Sequence, residues 1–313
     1  MILRKLITMM VTVLIVMVIT FLVFEILPGN SAVIRAGTNA TEAQIEAREI
    51  EMGLHRPVII RFGSWILGLF KGDLGESWSF DRPVMSLILG RFTVTLGLTI
   101  YTMVLAVLIS IPIGLYTGLN RHNNKGFFAG LTTQVGMAIP SFWLGLMMVL
   151  FFGLALRLFT PGRFTPFTRN PLLWFYQMLF PALALAIPRI AVLVRYLHSA
   201  IGEQYESSYV TAARSKGVKE KSILKEHILK NSLIPMLTVL GILIAEIIGG
   251  SIIVENIFNL PGLGRLLITA ISSRDFPLIQ GMVLLISISV IVTHTILDII
   301  YGKIDPRIGG SHD

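Results

Sequence analysis

The chain has 313 residues, of which 54% are apolar and only 14% charged. These proportions exclude an ordinary water-soluble domain and place it among membrane proteins. Its net charge of +8, from 26 lysines and arginines against 18 acids, suits lipid headgroups and cytoplasmic loops and does not point to nucleic acid. With no cysteine, disulfides and thiolate chemistry are excluded.

A helix needs about 20 apolar residues to cross the hydrocarbon layer. Six runs meet this: 6–27, 94–119, 130–156, 175–197, 232–254 and 278–300. The expected fold class is therefore an all-α integral membrane protein of about six spans, read as one transmembrane domain over 1–313. Arg4 and Lys5 before the first run also fit a signal peptide, but the run exceeds the roughly 7–15 apolar residues of such a segment, and a retained anchor is expected. An even number of spans puts both termini on one side. Basic residues divide equally between the two sides. The first loop is at the roughly 60-residue limit beyond which charge stops steering topology. The bases before the first span and Glu25 near its far end favour cytoplasmic termini.

Segment 28–91 is then an outer segment. Thr41 and Gln44 read as a capping box opening a short helix that ends near Gly53. Val58, Ile59, Phe62, Trp65, Ile66 and Leu69 form an apolar stretch too short to span, expected on the membrane surface or against the bundle. Gly72 to Gly75 is turn chemistry. Within the spans, Gly114 and Gly118, and Gly241, Ala245 and Gly249, are spaced for close helix packing. Pro112, Pro140, Pro181 and Pro188 are expected to kink helices. The Gly/Pro cluster at 260–264 ends the fifth span, and 263–272 fits a short outer helix.

Segment 200–231 is polar and Lys-rich, lodged between two spans. Ala212 and Ala213 are small enough for a short helix to seat deeply in a partner's groove. Gly217 can take φ > 0 and turn the chain. Ile223, Leu224 and Ile228 are set to pack on the bundle, and Glu226 and Lys230 are placed as an i,i+4 pair. A docking surface and a plain solvated loop both fit these residues. Among charged residues in spans, Arg189, Glu246 and Asp298 fit either a pathway or interhelical pairing. His294 and Asp298 lie one turn apart, and a hydrogen bond is expected in preference to a metal site, because no third or fourth ligand is nearby. No G-x-x-x-x-G-K-[ST] phosphate loop occurs, so the chain is not an ATPase. No G-x-S-x-G nucleophile motif occurs either.

Several blocks in order resemble the permease subunits, of the first-permease type, of bacterial ABC importers for dipeptides, oligopeptides and nickel. They are Gly72-Asp73-Leu74-Gly75-Glu76-Ser77-Trp78 with Arg82-Pro83-Val84, Pro140-Ser141-Phe142-Trp143-Leu144-Gly145, and Asn259-Leu260-Pro261-Gly262-Leu263-Gly264-Arg265. Arg274-Asp275-Phe276-Pro277, Gln280-Gly281 and Asp305-Pro306-Arg307 complete the set. The resemblance covers nearly the whole chain. It implies a multi-pass protein of the bacterial inner membrane, non-catalytic itself, that forms half of a translocation pathway. The implied partners are a second homologous permease, two ATPase subunits that hold ATP and magnesium, and an extracytoplasmic substrate-binding protein. It implies that Tyr209, Ala212, Ala213, Arg214 and Gly217 belong to the cytoplasmic coupling loop that contacts an ATPase, with Thr211 where importers of other substrates often carry glutamate. An ion-coupled transporter or channel without ATPase partners is the alternative, and an intramembrane enzyme using His294 and Asp298 ranks below it.

Overall fold

The computed structural model describes residues 2–26, 31–36, 40–121 and 123–304. The Asp305-Pro306-Arg307 block and the side chain of Asp298 lie outside what is described. The chain gathers into two compact units. The first takes Met1–Thr95 and Pro261–Ile291; the second takes Leu96–Leu260 and the last helix from Val292 onward.

Helices α1 (Ile2–Ile26), α2 (Ser31–Ala36), α3 (Glu42–Glu51) and α4 (Val58–Phe70) come first. Strands β1 (Glu76–Ser77) and β2 (Arg82–Pro83) follow, antiparallel with Glu76 opposite Pro83. Then come α5 (Val84–Leu119), α6 (Asn124–Ala138) and α7 (Ser141–Met148), the last prolonged by a π-helical stretch, Val149–Ala155. Helix α8 is Pro171–Tyr205, α9 Ser208–Ser215 and α10 Glu220–Ser222, which runs on through π-helical Ile223–Leu229 into α11, Lys230–Ile257. Helices α12 (Leu263–Ser272) and α13 (Phe276–Ile304) close the chain.

Helix formation throughout follows from lipid as solvent, where each backbone N–H and C=O must be satisfied within its own segment. Among the described residues, five helices are long and apolar enough to cross a membrane, or six spans if one bent pair is counted as one. That pair is the third predicted span. It breaks by 88° between Phe128–Ala138 and Ser141–Ala155. The break sits at Pro140, which has no N–H to donate, and at Ile139, which takes an extended backbone before it. Several helices outrun their predicted spans. Helix α5 starts at Val84 rather than 94, because hydropathy marks only the lipid-matched part of a helix.

The first unit has its core where the starts of α5 and α13 meet α12: Val84, Ile88, Leu263, Leu266, Leu278 and Met282 are buried there. Val13, Met17 and Phe24 of α1 pack on this core. The capping box at α3 is present, the Thr41 N–H donating to Gln44 Oε1 at 3.0 Å. Asp275 is fully buried. It accepts hydrogen bonds from Ser77 Oγ (2.5 Å) and from the N–H groups of Trp78 (3.2 Å), Ser79 (2.9 Å) and Leu278 (3.3 Å). The Leu278 bond caps the start of α13. The Leu263 N–H donates to Thr95 Oγ1 at 2.9 Å. A β-carbon at Gly281 would stand 2.7 Å from Val84. Motif blocks far apart in sequence thus clasp one another here.

The second unit packs α8 against α5, α6, α7 and α11 around Leu193, Leu197, Ile201, Met236 and Leu243. A β-carbon at Gly114 would lie 2.6 Å from Leu197, and one at Gly118 2.8 Å from Ile201. These glycines do permit close approach. Gly249 instead faces open space, and its neighbour Gly250 is the residue that packs near Arg189 of α8.

Candidate functional site

Helix α9 hangs on the second unit by one edge. Val210 is fully buried and Ala213, three residues on, packs half-buried on the same core. Residues at this spacing share a helix face. Ala212, Thr211 and Ser215 therefore point away from the core and are exposed, as are Tyr209 and Gly217. Of the two alanines singled out from sequence, Ala212 faces solvent and Ala213 faces the bundle.

The end of α9 is a two-bond stop. The Val218 N–H donates to the Ala213 carbonyl at 3.2 Å and the Gly217 N–H to the Arg214 carbonyl at 2.9 Å, the Schellman pattern. Gly217 has φ of +75°, and no atom lies within 4 Å of where its β-carbon would stand. Glycine is therefore favoured there by backbone conformation, not by crowding. After the turn the chain re-enters the core at Ile223 and Ile228, both fully buried, with Leu224 packed beside them. This stretch is π-helical, and among the described residues Glu226 and Lys230 form no ion pair.

Polar contacts fix the loop's shape. Arg214 donates to Glu220 through Nε (3.1 Å) and Nη2 (2.6 Å), a two-point pair across the turn. Its guanidinium also lies 4.4 Å from the Tyr205 ring centroid. Hydrogen bonding to the Glu220 carboxylate holds Arg214 above its ordinary pKa. The Tyr209 hydroxyl donates to Gln204 Oε1 at 2.6 Å and accepts from Asn231 Nδ2 at 3.2 Å. Arg121 forms an ion pair with Glu206. Sequence reasoning missed Val210, Tyr205 and Glu220. The Val210–Ala213 spacing and a carboxylate six residues beyond Arg214, across a glycine, were the signals present.

The charged residues of the spans divide. Arg189 of α8 and Glu246 of α11 are brought together, but the Arg189 Nη2 bond goes to the Glu246 main-chain carbonyl (3.3 Å) and its Nη1 bond to the Leu185 carbonyl (3.4 Å). The buried Arg189 Nε has no partner. Glu246 is exposed on its unit. A β-carbon at Gly250 would lie 3.4 Å from Arg189 Nη2 and 3.7 Å from Ser141 Oγ. The guanidinium thus sits where α11 runs past the break before α7. His294 is exposed on α13.

Residues 110–310 match the model of a family described as binding-protein-dependent transport system inner membrane component. Residues 1–99 match that of the N-terminal part of such membrane components. The chain is 38% identical over 299 residues to a Brucella abortus protein named as a peptide transport system permease, with 94% of each covered. It is 36% identical over 307 residues to the glutathione transport system permease protein GsiC of Pectobacterium atrosepticum, with 97% of each covered. It is 32% identical over 299 residues to the oligopeptide transport system permease protein AppB of Bacillus subtilis, with 93% of each covered. The crystal structure of an amino acid ABC transporter with histidines matches with a TM-score of 0.51 at 19% identity, over 70% of this chain and 94% of that one. That last likeness is one of fold alone.

Proposed function

The chain belongs to the family of binding-protein-dependent transport system inner membrane components, and from that premise we propose that it carries peptides or related small solutes inward. It is a multi-pass, non-catalytic permease subunit of the inner membrane. It lines half of the pathway and a second, homologous permease lines the other half. Two ATPase subunits hold ATP and magnesium on the cytoplasmic side, and an extracytoplasmic binding protein delivers the solute. Both termini and segment 200–231 face the cytoplasm, and segment 28–91 lies outside. Nickel complexes are a further candidate cargo, which the relatives' names do not favour over peptides.

The observation that carries the coupling role is α9: anchored by Val210, stopped at Gly217, and left with an exposed face of small residues centred on Ala212. ATP binding closes the ATPases and draws the coupling helices together, which shifts the bundle to its outward-facing state. Hydrolysis returns it. Each ligand drives this cycle only through its different affinity for the two states. Glu246 fits the subunit boundary or the pathway, since a carboxylate at mid-bilayer costs about 2.5–3.5 kcal/mol on insertion scales.

Vesicles reconstituted with the two permeases, with and without the ATPases, test the reading. Uptake of a dipeptide that requires the binding protein, the ATPases and ATP is the expected result. Uptake by the permeases alone would make the chain an ion-coupled carrier or channel.

A further inference from the structure

The loop 156–170, between the π-helical end of α7 and the start of α8, carries Arg157, Arg163 and Arg169. Residues 82–202 contain no Asp or Glu at all. All three arginines are exposed, and their guanidiniums take part in no hydrogen bond or ion pair among the described residues. Elsewhere in the same unit Arg214 pairs with Glu220 and Arg121 with Glu206. The loop lies at the opposite end of α8 from helix α9. The 35 residues of α8 rise about 50 Å, more than the hydrocarbon layer of about 30 Å. Aromatic rings mark its depth. Trp174 meets Tyr101, Phe167 and Phe175 at centroid distances of 5.9, 5.5 and 5.1 Å, and Trp and Tyr concentrate at membrane–water interfaces.

The loop's backbone is held from behind. The Gly162 N–H donates to the Phe258 carbonyl at 2.9 Å, the Thr165 N–H to Gln177 Oε1 at 2.7 Å, and the Tyr176 hydroxyl to the Leu158 carbonyl. Phe159 stacks on Phe180 and on Phe258, at 4.6 and 5.7 Å between centroids. A cavity of about 350 Å³ opens here, lined by Arg157, Arg163, Thr160 and Tyr176, and among the described residues no carboxylate lines it. Leu158 and Leu173 of its wall, and Leu156 and Leu172 beside them in the chain, are exposed as well. Three like charges on one short loop call for an anion from outside the chain. Exposed leucines and an aromatic girdle around the same loop call for apolar matter. A phosphodiester on acyl chains answers both, with charge-assisted bonds to the guanidiniums.

We propose that this loop and its cavity bind an anionic phospholipid of the leaflet opposite helix α9, its phosphodiester on Arg157 and Arg163 and its acyl chains over the leucines. Arg169 adds to the attraction without lining the cavity. The site is remote from helix α9, and its occupancy is measured without transport, so failure here leaves the importer reading untouched.

In the test, the two permeases are purified together in detergent micelles. They are offered phosphatidylglycerol and phosphatidylcholine of the same acyl chains, and bound lipid is read by native mass spectrometry. Phosphatidylglycerol should be retained in clear excess. Arg163→Gln should lower its retention about fivefold, the effect of one arginine beside an anionic surface, and adding Arg157→Gln should lower it further. The melting temperature should not change, since neither guanidinium holds anything within the chain. Arg265→Gln, at an exposed arginine of α12, should leave retention as it was. The inference is overturned by equal retention of the two lipids, by retention unchanged in the double variant, or by an equal loss in Arg265→Gln. It is overturned as well if the double variant keeps the lipid and instead weakens capture of the extracytoplasmic binding protein, which would make these arginines a protein-docking surface.

Discussion

The clasp around Asp275 and helix α9 use their residues in opposite ways. At the clasp the polar atoms turn inward: one buried carboxylate accepts from four donors on two segments nearly 200 residues apart. On α9 only Val210 is fully buried, while Tyr209, Ala212 and Gly217 are exposed. Where a motif's hydrogen bonds close within the chain, its role is to hold the fold. Where its side chains face outward with their geometry fixed from behind, its role is contact. Substitutions should therefore act on stability at the first region and on association at the second.

The largest effect is expected from Asp275→Ala. It strands four donors, three of them backbone N–H groups, for a loss of about 3–5 kcal/mol. The purified complex should melt several degrees lower and be recovered in reduced yield. An unchanged melting temperature would remove the clasp from the comparison. Val210→Ala deletes two buried methyl groups, worth about 1.5–2 kcal/mol. It should loosen α9 locally, seen as faster amide hydrogen exchange over Ser208–Ser215 with little change elsewhere. Gly217→Val forces a β-branched residue to φ near +75°, at a cost of about 1–2 kcal/mol. Gly217→Asn should cost less, because asparagine tolerates that region. Equal costs for the two would mean that crowding, not backbone angle, selects glycine. Arg214→Gln should have the smallest effect on stability, since its pair with Glu220 is exposed and screened. Any difference from the parent should shrink further as salt is raised.

Much of the fold was legible in the chain. Lipid demands long apolar helices, and hydropathy found them; Thr41 with Gln44 announced the start of α3. Pro140 signalled a disturbance, but not that the third span would break by 88°. The size of a bend depends on what packs on either arm, which sequence does not carry. The Asp275 clasp was visible only as separate blocks, because a hydrogen bond between Ser77 and Asp275 has no local periodicity to reveal it. In segment 200–231 the turn was legible from Gly217. The division of labour between Ala212 and Ala213 was not, because two small neighbours look alike until Val210 shows which face is anchored. Of the two small-residue rows, Gly114 and Gly118 fulfilled their spacing. Gly249 did not, since the facing helix meets α11 one residue later.

The central claim is that the outward face of α9 is the seat of an ATPase subunit. Ala212→Trp tests it most directly, because the position is exposed and the substitution leaves the core contact of Val210 intact. Co-purification of the ATPase subunits should fall at least tenfold, with dipeptide uptake lost and the melting temperature of the permease pair unchanged. Full recovery of the ATPases together with normal uptake would contradict the account.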